Sequence, residues 1–455
     1  MFKITFTLSI LIFCSSCAST STFRPYTSQI DPVIEKIRNN SPINFNKEFS
    51  NKINSKDKAL YLLERGRIAQ IKGDIYLSKQ SFQAAEETIR QMDKKAILSA
   101  SGGAAQASSI LVNDNALPYR VAGYERVMLH HYQALNYLYE NNLEGAAVEI
   151  RKANAQQEAS LRDHRKELEN TKISAQRYRV SSEIPETVSN AYSRLDSMVG
   201  DLKNSFQNAY TFYLSGIIYE MMGQPNDAYI DYKKALEIYP YNQFLQKDVI
   251  RLAQALENVV NQKPSKTGEL IVLFEDDFIP QKQEIKIPIP ISLENPNFIA
   301  VAFPIYNIEQ IDSFPLLLYE NGQVMATTEP ICDLTSIAVK ALKEKVSAIV
   351  THQLIRVASK AILAKQVERE LGDIGSLAVS AYNVFSENAD LRSWLTLPAN
   401  AQIMRMSVPE GDHEFVFLQK ELGANAYIRV HIKENTKKII RIVRAGIKLY
   451  YINLT

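Results

Sequence analysis

Three thiols and six imidazoles offer the most chemistry in these 455 residues. The thiols are Cys14, Cys17 and Cys332; the imidazoles are His130, His131, His164, His352, His413 and His431. Metal binding needs ligands that converge, as in HExxH or paired Cys at short spacing. No HExxH is present, and in the processed chain described below no Cys pair has that spacing. His130 and His131 are adjacent, so on a helix they point to different faces and cannot chelate together as i,i+4 pairs do. GxSxG, P-loop and GxGxxG signatures are also missing. Cys332 stands alone beside a helix start, where a structural role fits better than a nucleophile. Asp276-Asp277 follows a strand and reads as a solvated turn in preference to a cation ligand. The expectation is a protein that is not an enzyme and that uses no metal and no cofactor.

One thiol has a distinctive setting. Cys17 follows Ser15-Ser16, and before these comes Met1-Phe2-Lys3 and a mostly apolar run, Ile4 to Phe13. That run is too short to span a bilayer, which takes about 20 residues, and has the length of a secretory h-region. The segment resembles the bacterial lipobox. Ser16 and Ser15 supply the small residues at −1 and −2, while Cys14 stands at −3 where the motif usually has Leu. Cleavage before Cys14 would put bulky Phe13 at −1, so Cys17 is preferred; an ordinary secretory signal is the alternative. The resemblance implies a signal peptide over 1–16, and a Cys17 carrying acyl chains such as palmitate. Ala18 stands where an Asp would resemble an inner-membrane retention signal. The resemblance therefore implies lipid anchoring to the outer membrane on its periplasmic side. Cys332 would then be left without an intramolecular disulfide partner.

The rest of the chain must position whatever this anchor carries. Its length suggests two or three domains. With 52 basic and 50 acidic residues, nothing in the total charge points to nucleic acid. Residues 17–54 are rich in Ser, Thr, Asn and Pro and read as a flexible tether.

Residues 55–262 have helical spacing and contain an internal repeat. The clearest unit is Phe212, Ser215-Gly216, Tyr219, Ala228, Tyr232, Ala235 and Pro240, with Gly223-Gln224-Pro225-Asn226 at its turn. A second is Ala134, Tyr137, Ala146, Ile150 and Ala153, with Asn141-Asn142 at the turn; a third is Gly66, Ala69, Phe82 and Ala85, with Gly73-Asp74. Gly66 and Ala134 are 68 residues apart, two periods of about 34. These units resemble the tetratricopeptide repeat (TPR); an α-hairpin array of another kind is the alternative. Residues 147–178 read as one long polar helix with Leu161 and Leu168 seven apart. The stretches 101–104 and 113–115 read as a degenerate helix pair with a loop. The family's groove positions fall on Met128, His131, Leu135, Leu138 and Tyr139 in one unit, and on Tyr210, Tyr213, Ile217, Glu220 and Met221 in another. The resemblance implies a protein or peptide partner there; packing on the next helix or on the strands is the alternative.

After a polar boundary at 261–268 the chain turns to strands, over 268–332 and 398–455, with a helical insertion at 333–390. Asp333 and Thr335 are candidate N-caps, Gly372 to Gly375 a helix break, and Glu320-Asn321-Gly322-Gln323 a hairpin turn. The simplest assembly is one antiparallel β-domain, and the Pro409-Glu410-Gly411 turn resembles small β-sandwich modules. Trp394 is expected to seal the insertion onto the sheet. Two basic faces stand out: Lys340, Lys343, Lys345, Arg356, Lys360 and Lys365, then Arg429, Lys433, Lys437, Lys438, Arg441, Arg444 and Lys448. Anionic lipid or peptidoglycan are candidate ligands; a solvated face is the alternative.

The expected fold class is α+β multidomain: a TPR-like α-solenoid, then an antiparallel β-domain with a helical insertion. The layout resembles a family of proteobacterial envelope lipoproteins with TPR-like repeats. The likeness rests on Tyr124 to Leu138, the strand after Gly268 and the Trp394 segment. The expected role is an envelope protein-binding scaffold. An assembly factor for a secretion, pilus or surface-polymer system, and a cell-wall enzyme or its activator, are the alternatives.

Overall fold

A computed structural model describes residues 25–100, 114–181, 183–200, 202, 204–257, 266–290, 298–307, 313–359 and 388–455. Cys14, Cys17, the 101–104 stretch, Asn113, Lys360, Lys365 and the Gly372–Gly375 break lie outside the described residues. The described chain is α+β, with helices mostly N-terminal and strands mostly C-terminal.

The expected tether is in large part ordered. Helix α1 spans Tyr26–Arg38, and a short α2 spans Phe45–Phe49. Ile30, Val33, Ile37 and Phe49 are fully buried. The apolar residues recur at helical spacing, and burying them outweighs Pro32, which lies inside the helix. The polar composition of 17–54 had hidden that stripe.

Three helical hairpins follow: α3 (Lys58–Ile71) with α4 (Ile75–Ala100), α5 (Gly123–Tyr139) with α6 (Leu143–Tyr178), and, after α7 (Glu186–Ser193) and α8 (Asp196–Val199), α9 (Ala209–Met221) with α10 (Pro225–Ile238). All three share one register. Gly66 and Gly216 occupy a close approach with Phe82 and Tyr232 across it, and Ala134 and Ile150, at the same sequence offset, are both fully buried. A Cβ at Gly66 would lie 2.6 Å from Phe82, and one at Gly216 2.4 Å from Tyr232. Gly73, Asn141 and Gly223 adopt positive φ at the turns, as the chain reversal needs. Helix α11 (Gln243–Glu257) packs beside α10.

The described strands form three sheets. The largest has five strands in the order β11 (Lys448–Asn453), β10 (Lys437–Ala445), β1 (Thr267–Phe278), β7 (Pro398–Pro409), β6 (Glu329–Asp333). A four-stranded sheet runs β5 (Gln323–Thr327), β4 (Leu317–Glu320), β8 (Gly411–Gln419), β9 (Ala424–Ile432), and β2 (Lys282–Pro290) pairs with β3 (Phe298–Tyr306). The expected wholly antiparallel domain is corrected here, because β1 runs parallel to β10, Leu270 opposite Lys438. Strand β1 is buried on both faces, as suits a central strand with a near-continuous apolar run. Ile271 and Leu273 face the helices, while Leu270, Val272 and Phe274 face the four-stranded sheet. The architecture is therefore helices, five-stranded sheet, four-stranded sheet. One core unites α1, the hairpins and the helix-facing side of the large sheet. The expected boundary near 262–268 marks a change of secondary structure, with that core running across it.

The hairpin turn Asn321-Gly322 has positive φ at both positions, the I′ geometry that favours those residues. Helix α12 covers 334–359. Asp333 caps it, accepting from the Ser336 N–H at 2.8 Å; Thr335 instead donates to the Ala399 carbonyl. Trp394 is fully buried, but its ring partners are Phe82 of α4 and Tyr132 of α5. It seals the hairpins onto the segment before β7, which corrects its expected seat on the insertion. Asp276-Asp277 is also corrected. Both belong to β1, with Asp276 buried against Arg444 and Asp277 paired with Arg38.

Candidate functional site

The positions expected to line a binding groove are packed largely against the protein's own core and sheet. Met128, His131, Leu135, Leu138, Tyr210, Tyr213 and Ile217 are all buried. Met221 is half-buried against the core, and Tyr139 alone of the ten is exposed, at 45%. The reason is complementarity: odd-numbered residues of β1 and β10, and Arg405 of β7, turn toward these helices.

Glu275 of β1 is the centre of the contact. It accepts from the Tyr210 hydroxyl at 3.0 Å, from Arg441 Nε and Nη2 at 3.1 and 2.8 Å, and from Arg67 Nη2. The Arg67 guanidinium lies 4.3 Å from the Tyr132 ring centre, a cation–π geometry. Arg441 Nη1 donates to Gln70 at 2.8 Å, and Gln70 donates to the Tyr132 carbonyl and to Asn136. His131 sits 3.2 Å from the Thr211 hydroxyl and 4.4 Å from the Tyr210 ring. Burial, with Arg67 nearby, pushes its imidazole down to about 3, so it is neutral at physiological pH.

A second node is built on Glu220 of α9. It receives two hydrogen bonds each from Arg251 and Arg405 and one from the Tyr232 hydroxyl, with Lys437 at 3.2 Å. Burial opposes its charge, but Arg405, Arg251 and Lys437 hold the carboxyl well below the usual carboxylate range. Glu220 is thus an internal ion-pair partner and not a groove contact.

The basic faces shrink in the same way. Arg441 and Arg444 are buried ion-pair members, Lys437 pairs with Glu269, Lys343 with Asp196, and Arg356 is buried. Sequence patterning counts these cations without seeing their carboxylates.

A cleft of about 460 Å³ lies between α1 and the end of β1. Asp31, Glu35, Arg38, Asp277 and Gln281 supply its polar lining. Burial raises the Asp31 carboxyl, while Gln281 and Arg38 pull it down. Its lining includes three carboxylates and no His, Ser, Cys or Lys. Among the described residues, Glu86, His130 and Glu149 each bring one ligand atom within 4.8 Å of the others. Cys332 is buried, and burial raises its thiol well above the ordinary value, which keeps it protonated and unreactive.

Comparison of the chain with protein-family models, curated proteins and solved structures finds no match in any of the three.

Proposed function

We propose that this protein is a lipid-anchored, non-enzymatic scaffold of the bacterial envelope, held at Cys17 on the periplasmic side of the outer membrane. Its partner would be an envelope protein that meets the exposed stretch of α6 from Leu161 to Asn170. The lipobox-like segment supports the anchor. The shared register of the three hairpins supports the resemblance to TPR-like envelope lipoproteins, although the expected groove positions are largely buried.

The observation that carries the partner reading is α6 itself. It has 36 residues, a length of about 54 Å. Every residue from Leu161 to Asn170 is exposed except half-buried His164. A helix without tertiary packing is marginal in water, so a long unpacked stretch is expensive to keep unless something binds it. Leu161 and Leu168 lie seven apart on one face of that stretch, at 38% and 37% exposure. Such a pair suits a partner helix.

The position of α1 adds to this reading. Only residues 18–25 separate Cys17 from Tyr26, a reach of at most about 30 Å. An anchor at Cys17 would hold the body at the bilayer surface.

Fatty-acid labelling tests the anchor: label is expected in the parent and in Cys14→Ala, and lost in Cys17→Ala. Crosslinking from position 165, exposed between the two leucines, tests the partner. Leu161→Glu/Leu168→Glu is expected to lose the crosslinked protein with its circular dichroism unchanged. The same partner captured by the double variant would sink the α6 reading.

A further inference from the structure

We propose that Glu86, His130 and Glu149 form a divalent-metal site suited to Zn²⁺, whose place Lys152 fills in the metal-free protein. The residues come from α4, α5 and α6, three helices packed in succession. Their ligand atoms lie within 4.8 Å of one another, and His130 Nδ1 is 2.8 Å from Glu149 Oε2. His131, its neighbour in sequence, faces inward to Thr211 and takes no part.

A cation already occupies the position. Lys152 Nζ lies 2.9 and 3.2 Å from the two Glu86 oxygens and 3.0 Å from Glu149 Oε1. One ammonium bridges two carboxylates, one of which also meets the His130 imidazole, as a metal ion with a nitrogen and two oxygen ligands would. Zn²⁺ takes His and carboxylate ligands readily and needs three protein ligands plus a water in an open site. Ca²⁺ and Mg²⁺ prefer all-oxygen surroundings. Zinc bonds of about 2.0–2.2 Å require the ligand atoms to draw closer than they are now. Glu86 supplies that freedom, since its side chain is 38% exposed whereas that of Glu149 is 6% exposed. The exposed side also admits the ion and the water.

Charge balance favours the exchange. Two carboxylates and a neutral imidazole cancel Zn²⁺ fully, whereas Lys152 cancels one of the two negative charges. Lys152 is 39% exposed on a flexible stem and can turn to solvent.

The test is titration of the full-length protein in detergent with Zn²⁺ by calorimetry, and with Co²⁺ by visible absorption. One equivalent is expected, with an intense tetrahedral cobalt spectrum and no thiolate charge-transfer band. His130→Ala should weaken binding at least about tenfold. Glu86→Gln, at a half-exposed position, repeats the test if His130→Ala misfolds. Lys152→Met removes the competing ammonium and should tighten binding roughly tenfold. No binding by the parent, or equal binding by His130→Ala and Glu86→Gln, overturns the site. A thiolate band would place the metal on cysteine and overturn it too. Unchanged affinity in Lys152→Met overturns the exchange.

Discussion

Replacing Glu275 by Gln removes the carboxylate that joins the central strand to the helices. The side chain is fully buried and accepts four hydrogen bonds, three of them from guanidinium groups. Glutamine keeps one accepting oxygen and turns an amide N–H toward the cations. Two charge-assisted bonds are lost, at about 1.5–3 kcal/mol each. Two guanidinium groups are left in a dry interface without their anion, and breaking a buried pair in this way costs about 3–5 kcal/mol. Both estimates give a loss near 4 kcal/mol. Urea unfolding followed by circular dichroism and by Trp394 fluorescence would read it. Trp394 is the only tryptophan and packs on Tyr132, the ring that Arg67 covers. The triple variant Arg67→Met/Glu275→Leu/Arg441→Met should recover most of the loss, because an apolar replacement removes the desolvation penalty together with the attraction. A Glu275→Gln protein within about 1 kcal/mol of the parent would refute the idea that this ion cluster fastens helices to sheet.

Glu64 gives a pH prediction. Burial raises its carboxyl from 4.5 to about 7, outweighing the hydrogen bonds from Thr396, Tyr26 and Leu395, which pull it down. The folded state therefore holds a proton that the unfolded state releases. Stability should fall as pH rises from about 4.5 to about 7, by about 3 kcal/mol, and stay flat above; denaturation midpoints of Glu64→Gln should lack that slope. Gly216→Ala should lower the melting temperature even though Ala favours helix by about 1 kcal/mol. Its Cβ would meet Tyr232, which Glu220 and Arg405 hold in place, and overpacking costs about 1–3 kcal/mol. Trp394→Ala should cost about 3–5 kcal/mol in the same urea assay, since the ring is fully buried among Phe82 and Tyr132.

The hairpins were legible because their signal is local. Small residues and aromatics recur at fixed offsets, and the turns at Gly73, Asn141 and Gly223 need a left-handed residue. The alternation of apolar Ile428, Val430 and Ile432 with polar Arg429 and His431 in β9 is equally local, and burial alternates along the whole strand. The parallel pairing of β1 with β10 was not, because hydrogen-bonding direction leaves no mark on side-chain type. Helix α1 was missed because Pro32 and a polar neighbourhood masked Ile30, Val33 and Ile37. The groove positions were expected to meet a partner; what could not be read was that Glu275, Arg405 and Arg441 would pack against most of them. An isolated charge in a strand looks solvated until its partner, over a hundred residues away, is placed beside it.

The order in which strands join the central sheet also fixes an order in time. Both neighbours of β1, β7 and β10, come from the last part of the chain. The hairpins are rich in local contacts and can form early, but the sheet closes only through pairings far apart in sequence, which form slowly. Until Ala445 has been made, Arg67 and Tyr210 have no complete floor beneath them. A nascent chain halted before β10 would therefore expose the apolar and charged underside of its helices, making that stage of synthesis the one most dependent on a chaperone.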